Sequence, residues 1–145
     1  MTLKELDRYL NQLLKISEIH DVSINGIQIG NESQPVQKIA LAVDANLNTI
    51  KKAVEHQADT LLVHHGIFWG RPFAFKGPDY LKIENLVKNN MALYAAHLPL
   101  DLNAPLGNNY QIAIKLGLEN PVPFGDYHGT LIGFGGTTRQ PIENI

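Results

Sequence analysis

The sequence predicts an α/β fold, a mainly parallel sheet flanked by helices, and three observations carry that reading. Residues 38–43, 60–63 and 92–96 are short, nearly continuous apolar runs, the pattern of strands buried on both faces. The segments between them place apolar residues at helical spacing, so buried strands alternate with helices, and crossovers of that kind join parallel strands. The chain has 145 residues, 44% hydrophobic and 18% charged, which suits one compact domain, or one domain and part of another.

Taken in order, Thr2 and Glu5 stand at capping-box spacing, and Leu3, Leu6, Leu10, Leu13 and Leu14 recur at helical intervals, predicting a helix from Leu3 to Ile16. Asp21 to Gly30 reads as a loop or short strand, with Asn25-Gly26 as a turn signal. Lys38 to Val43 predicts a buried strand, and Asn46 to Gln57 a helix with Leu47, Ile50, Ala53 and Val54 on one face. Thr60 to Val63 is the next buried strand and runs straight into His64-His65. An irregular stretch follows, in which Phe68, Trp69, Phe73 and Phe75 read as core or interface filling, with nucleobase or ring stacking as the secondary reading. Asp79 is expected to cap a helix carrying Leu81, Ile83, Leu86 and Val87. Ala92 to Ala96 is a third buried strand, ending at His97. Gly107 to Leu116 is a helix stopped by Gly117, and Thr130 to Phe134 is a strand. The Pro- and Gly-rich stretch Asn120 to Gly129 reads as a linker. The expected organisation is therefore an α/β metal-binding domain over 1–120, then a linker and the start of a second, truncated α/β unit over 121–145, where Pro141-Ile142-Glu143-Asn144 resembles a helix start.

Composition narrows the function classes. A net charge of −2 with scattered basic residues makes nucleic acid an unfavoured partner. The absence of cysteine removes disulfides, thiolate metal sites, iron–sulfur clusters and cysteine nucleophiles. No apolar run is long enough to span a bilayer and the N-terminus carries no secretory pattern, so a cytoplasmic protein without membrane contact is expected. There is no Gly-x-Ser-x-Gly elbow and no phosphate-cradling loop followed by Lys-Ser or Lys-Thr.

What chemistry there is gathers at strand ends. Ligands of open parallel sheets bind beyond the carboxyl ends of the strands. His64 and His65 end one predicted strand, His97 ends another, Asp101 follows four residues later, and Asp44 ends the first. Imidazole and carboxylate are the donors of a hydrolytic metal site that lacks thiolates, and they suit zinc, iron, manganese, nickel or cobalt. At a strand end the backbone can turn so that adjacent histidines face one ion, or two ions roughly 3.5–4 Å apart. His64 and His65 are accordingly the core of the candidate metal site, and Asp101 is a candidate further ligand that could instead begin a turn with Asn103. His97 is the candidate for proton transfer or for orienting a ligand. Asp44 reads rather as a cap for the helix that follows, and His20, His56 and His128 as solvated.

Several segments together resemble the Nif-three-like, dinuclear-metal-centre family, whose members are described as homologues of GTP cyclohydrolase one type two. They are Asn25-Gly26-Ile27-Gln28, Ala42-Val43-Asp44-Ala45, Ala58 to Gly66 with its His64-His65-Gly66, Lys88 to Asp101 with its His97-x-x-x-Asp101, and Leu116-Gly117-Leu118. The resemblance implies an α/β fold, two divalent metal ions held in part by His64, His65 and Asp101, and assembly into ring-like homohexamers. In the family pattern a later, closely spaced His and Glu complete the site. This chain stops at Ile145, so the expectation is the N-terminal part of the family fold, with three ligands assignable.

Two functions follow. One is a metal-dependent hydrolase acting on a small nucleotide-like molecule, with cyclohydrolase and phosphoester chemistry both open. The other is a non-catalytic metal-binding or oligomeric scaffold protein.

Overall fold

The computed structural model describes residues 1–139. The proposed helix start at Pro141 lies outside the described residues. Chain contacts group residues 1–17 with 21–97 as one compact unit, and 18–20 with 98 onward as another.

The first unit opens with α1 (Leu3–Leu14), and its capping box is formed: Thr2 Oγ1 accepts from Glu5 N at 3.3 Å, and Glu5 Oε2 accepts from Thr2 N at 2.8 Å. The helix ends short of Ile16 because Lys15 turns left-handed (φ 54°) and its N–H bonds back to Asn11. Leu3 and Leu6 pack with Val36 and Ala92 in a small core of their own.

The sheet contains β1 (Gly26–Ile29), β2 (Ile39–Asp44), β3 (Thr60–His65) and β4 (Ala92–Ala95), in the spatial order β1-β4-β3-β2. β2, β3 and β4 are parallel, as predicted, while β1 adds an antiparallel edge on β4. The main core lies where Leu61, Val63, Leu93 and Ala95 of the two central strands meet Ile50 and Ala53 of α2 (Leu47–Glu55) and Leu86 of α3 (Pro78–Lys88). A full Leu side chain buried there contributes about 1.5–3 kcal/mol.

Two expectations change in this unit. β2 is not buried on both faces: as an edge strand it turns Ala40 and Ala42 to the core and leaves Leu41 76% exposed. Asp21 to Gly30, read as a loop or short strand, is a loop that enters β1 at Gly26 (φ 95°). Asp79 does not cap α3. Gly77 occupies the cap with Pro78 at the first helical position, and Asp79 sits in the first turn, where it pairs with Lys82 at 3.0 Å.

The second unit contains α4 (Leu98–Asp101), α5 (Asn108–Lys115) and a hairpin of β5 (Glu119–Tyr127) with β6 (Thr130–Thr137). Gly117 follows α5 with φ 71°, the left-handed stop the sequence predicts. The stretch read as a linker is strand β5. Its prolines lie in a two-stranded sheet, which consists of edge strands, the setting in which strands tolerate proline. Among the described residues no helix is long and apolar enough to cross a membrane.

Candidate metal centre

The site grows out of sheet register. In the parallel pairing of β2 with β3, Asp44 is the Cα partner of His65, so the last residues of the two strands stand side by side. Asp44 Oδ1 lies 2.7 Å from His65 Nδ1. A carboxylate only accepts, so Nδ1 of the neutral ring carries the proton and Nε2 the lone pair. Asn46, not Asp44, caps α2, its side chain accepting from Thr49 N at 2.9 Å.

His64 is oriented from the other side. Its Nδ1 lies 3.0 Å from the carbonyl oxygen of Ala96, which again fixes the proton on Nδ1. The rings of His64 and His65, which regular pleating would send to opposite faces, have their centroids 4.5 Å apart. The backbone turn needed for this is held by Gln28. Its Oε1 accepts from Ile67 N at 2.7 Å and Phe68 N at 3.3 Å, and its Nε2 donates to Ile24 O at 2.7 Å. The Gln28 carboxamide packs so closely on Gly66 that a Cβ there would overlap it. That contact gives Asn-Gly-Ile-Gln and His-His-Gly one physical reason to occur together.

His97 completes the group, with ring centroids 4.9 Å from His64 and 5.5 Å from His65. Its backbone N donates to Asn25 Oδ1 at 2.7 Å, and its Nδ1 faces both oxygens of Asp21 at 3.0 and 3.1 Å. Asp21 is 2% exposed, and its charge is satisfied by donors: Ser23 N at 3.0 Å and Asn25 Nδ2 at 2.8 Å in addition to His97. One ring nitrogen from each of His64, His65 and His97 lies within 4.8 Å of the other two. Three imidazoles, each with Nδ1 engaged by a carbonyl or a carboxylate, present Nε2 as the donor atom. That is the arrangement by which outer partners orient metal-binding histidines, and the donor set fits a divalent ion.

The structure therefore brings together His64, His65 and His97, and adds Asp21, Asp44 and Asn25 as their supports. Asp101 ends α4 in the second unit, where Oδ1 accepts from Asn108 Nδ2 at 2.9 Å. Trp69 is not core filling. Its Nε1 donates to Gly66 O at 3.1 Å and its ring stands edge-on to His97 at 5.1 Å, whereas Phe68, Phe73 and Phe75 cluster with one another.

Known proteins resemble this chain in sequence and in fold. The family model for Duf34/NIF3 (NGG1p interacting factor 3) matches residues 1–144. Relatives include a GTP cyclohydrolase 1 type 2 homolog of Deinococcus radiodurans, 46% identical over 95% of this chain and 52% of that protein. Another of the same description, from Treponema pallidum, is 42% identical over 97% of this chain and 50% of its own length. Among solved structures, protein TTHA1606 of Thermus thermophilus superposes with a TM-score of 0.80 at 42% identity, covering 86% of this chain and 51% of that one. Reduced HcgD of Methanocaldococcus jannaschii gives 0.79 at 31%, covering 87% and 51%. The chain spans about half the length of the relatives it matches.

Proposed function

This chain belongs to the Duf34/NIF3 family, and we propose that its histidine cluster is part of a two-ion divalent-metal centre that hydrolyses a small nucleotide-like molecule. The observation carrying this reading is the convergence of three histidines: one ring nitrogen of each lies within 4.8 Å of the other two, and each Nδ1 faces a carbonyl or carboxylate oxygen. The description of relatives as GTP cyclohydrolase 1 type 2 homologs supports a nucleotide as substrate.

A divalent ion in such a site supplies a water of lowered pKa and a Lewis acid for the substrate. His64 and His65 would hold the metal, their rings kept in place by Ala96 O and Asp44. His97 would add a third imidazole, oriented through Nδ1 by the buried Asp21 carboxylate. Asp101 enters as a further ligand on the family pattern alone. Ring hydrolysis of a base and cleavage of a phosphoester would both use the chemistry such an ion supplies. The protein is proposed to act as a homohexamer.

The test combines metal content by elemental analysis, native mass and turnover of a nucleotide panel, for wild type, His64→Ala, His97→Ala and Asp101→Ala. His64→Ala and Asp101→Ala should lose metal and activity together. His97→Ala should bind metal more weakly and lose activity with it, because it removes the third imidazole of the cluster. Wild-type turnover in His64→Ala would refute the hydrolase, and stoichiometric metal without turnover of any nucleotide would favour the scaffold.

A further inference from the structure

A cavity of about 310 Å³ lies beside the histidine cluster, lined by Ile67, Trp69, Arg71, Phe73 and Asp79. Its volume is at the lower end for small-molecule sites, the size of one ring system with a short substituent. Trp69 links it to the cluster, because the same indole that borders the cavity meets His97 at 5.1 Å. Ile67 is buried, and Phe73 is backed by Phe68 and Phe75 at 5.9 and 5.0 Å, which leaves its ring free to take a partner on the cavity side.

The charged groups of this wall are not balanced. Asp79 is neutralised by Lys82, and Arg71 makes no ion pair among the described residues. Indole and phenyl surfaces attract flat rings, and an unpaired guanidinium attracts a phosphate or carboxylate with fork geometry.

We propose that this cavity is the substrate-recognition pocket of the adjoining centre. Trp69 and Phe73 bind a planar heteroaromatic ring, and Arg71 binds the phosphate of a free mononucleotide. The assignment as a substrate pocket rests on the reading of His64, His65 and His97 as the reaction centre, whereas binding itself is measured without metal. Trp69 is the single tryptophan of the chain, so its fluorescence reports the pocket directly.

The experiment titrates the full chain, with and without zinc, with adenosine 5′-monophosphate, adenosine and ribose 5-phosphate. The nucleotide should quench Trp69 saturably, adenosine should bind roughly tenfold or more weakly, and ribose 5-phosphate should leave the emission unchanged, because only the first carries both the ring and the charge. Arg71→Ala should bring the nucleotide's affinity down to that of adenosine, and Phe73→Ala should weaken both ligands. If Arg71→Ala is poorly folded by circular dichroism, Arg71→Lys replaces it, and a partial loss of nucleotide affinity is the result expected. Equal affinity for nucleotide and adenosine, or wild-type nucleotide affinity in the Arg71 variant, would overturn the inference. Zinc binding without any nucleotide quenching would overturn it too, while leaving the metal reading standing. Nucleotide quenching in a protein that binds no zinc would support the pocket and refute the metal reading instead.

Discussion

Replacing Asp21 by asparagine tests whether the cluster is held from outside. The substitution keeps shape but exchanges one acceptor oxygen for a donor. In the wild-type chain Oδ1 accepts from Ser23 N at 3.0 Å, Oδ2 accepts from Asn25 Nδ2 at 2.8 Å, and His97 Nδ1 reaches both oxygens. Whichever way the new amide turns, its nitrogen faces one of these donors. The side chain is 2% exposed, so water does not replace the lost acceptor. A buried donor left without a partner costs about 1–3 kcal/mol, which for about 2 kcal/mol lowers the melting temperature by roughly 6–7 °C in a chain of this size. His97 also loses the carboxylate that fixes its tautomer, and outer-partner losses of this kind reduce metal affinity by about 10–100-fold. Asp44→Asn is the internal control. Asp44 is 57% and His65 40% exposed, so that pair contributes about 1 kcal/mol or less, roughly fivefold in affinity at most. Zinc affinity by competition with a chromogenic chelator, and thermal unfolding by circular dichroism, read both effects. Wild-type behaviour in Asp21→Asn, or equal losses in the two variants, would refute the reasoning.

Other perturbations address separate parts of the molecule. Gly66→Ala places a Cβ against the Gln28 carboxamide and should displace the turn after His65, weakening zinc binding more than Gln28→Ala, which leaves the turn room to relax; the same zinc competition measures both. Burial, reinforced by the nearby Asp7 carboxylate, pushes the Tyr94 phenol far above the usual tyrosine range. A phenol held neutral in the fold contributes stability that is complete below the unfolded pKa of about 10 and is lost as pH rises beyond it. Tyr94→Phe should therefore shift alkaline unfolding to higher pH, and an unshifted midpoint would contradict the assignment.

The sequence makes the sheet legible because β3 and β4 are buried on both faces, and continuous apolar runs as short as Thr-Leu-Leu-Val and Ala-Leu-Tyr-Ala fit a doubly covered strand better than a helix. His64, His65 and His97 are legible for the same reason, since each adjoins the end of such a run. Asp21 is not. It lies in a loop without periodicity, and its role depends on a contact with a residue 76 positions away. Asp44 reads locally as a cap because Asn46 and the following helix are nearby in sequence, whereas its partner is supplied by strand register. β5 is hidden by Pro121 and Pro123, which signal a break unless the strand is known to be an edge. Trp69 follows the histidines closely in the chain, but only the turn at Gly66 brings its ring back over His97.

The Nδ1 tethers of the three histidines have a consequence for the mechanics of the sheet. His65 is tied to the end of β2, His64 on β3 to the carbonyl just past β4, and His97 to the residues that lead into β1. In that order the tethers cross the sheet from one edge strand to the other, following its own spatial arrangement, β2-β3-β4-β1. An ion joining the opposite sides of the three rings would act as a clasp across four strands at the end where fraying begins. The energy of binding would then appear as slower opening of the whole edge, in line with RT ln(1 + [L]/Kd), and amide exchange near Gly26, Asp44, His65 and Ala96 should slow in concert when the clasp is closed.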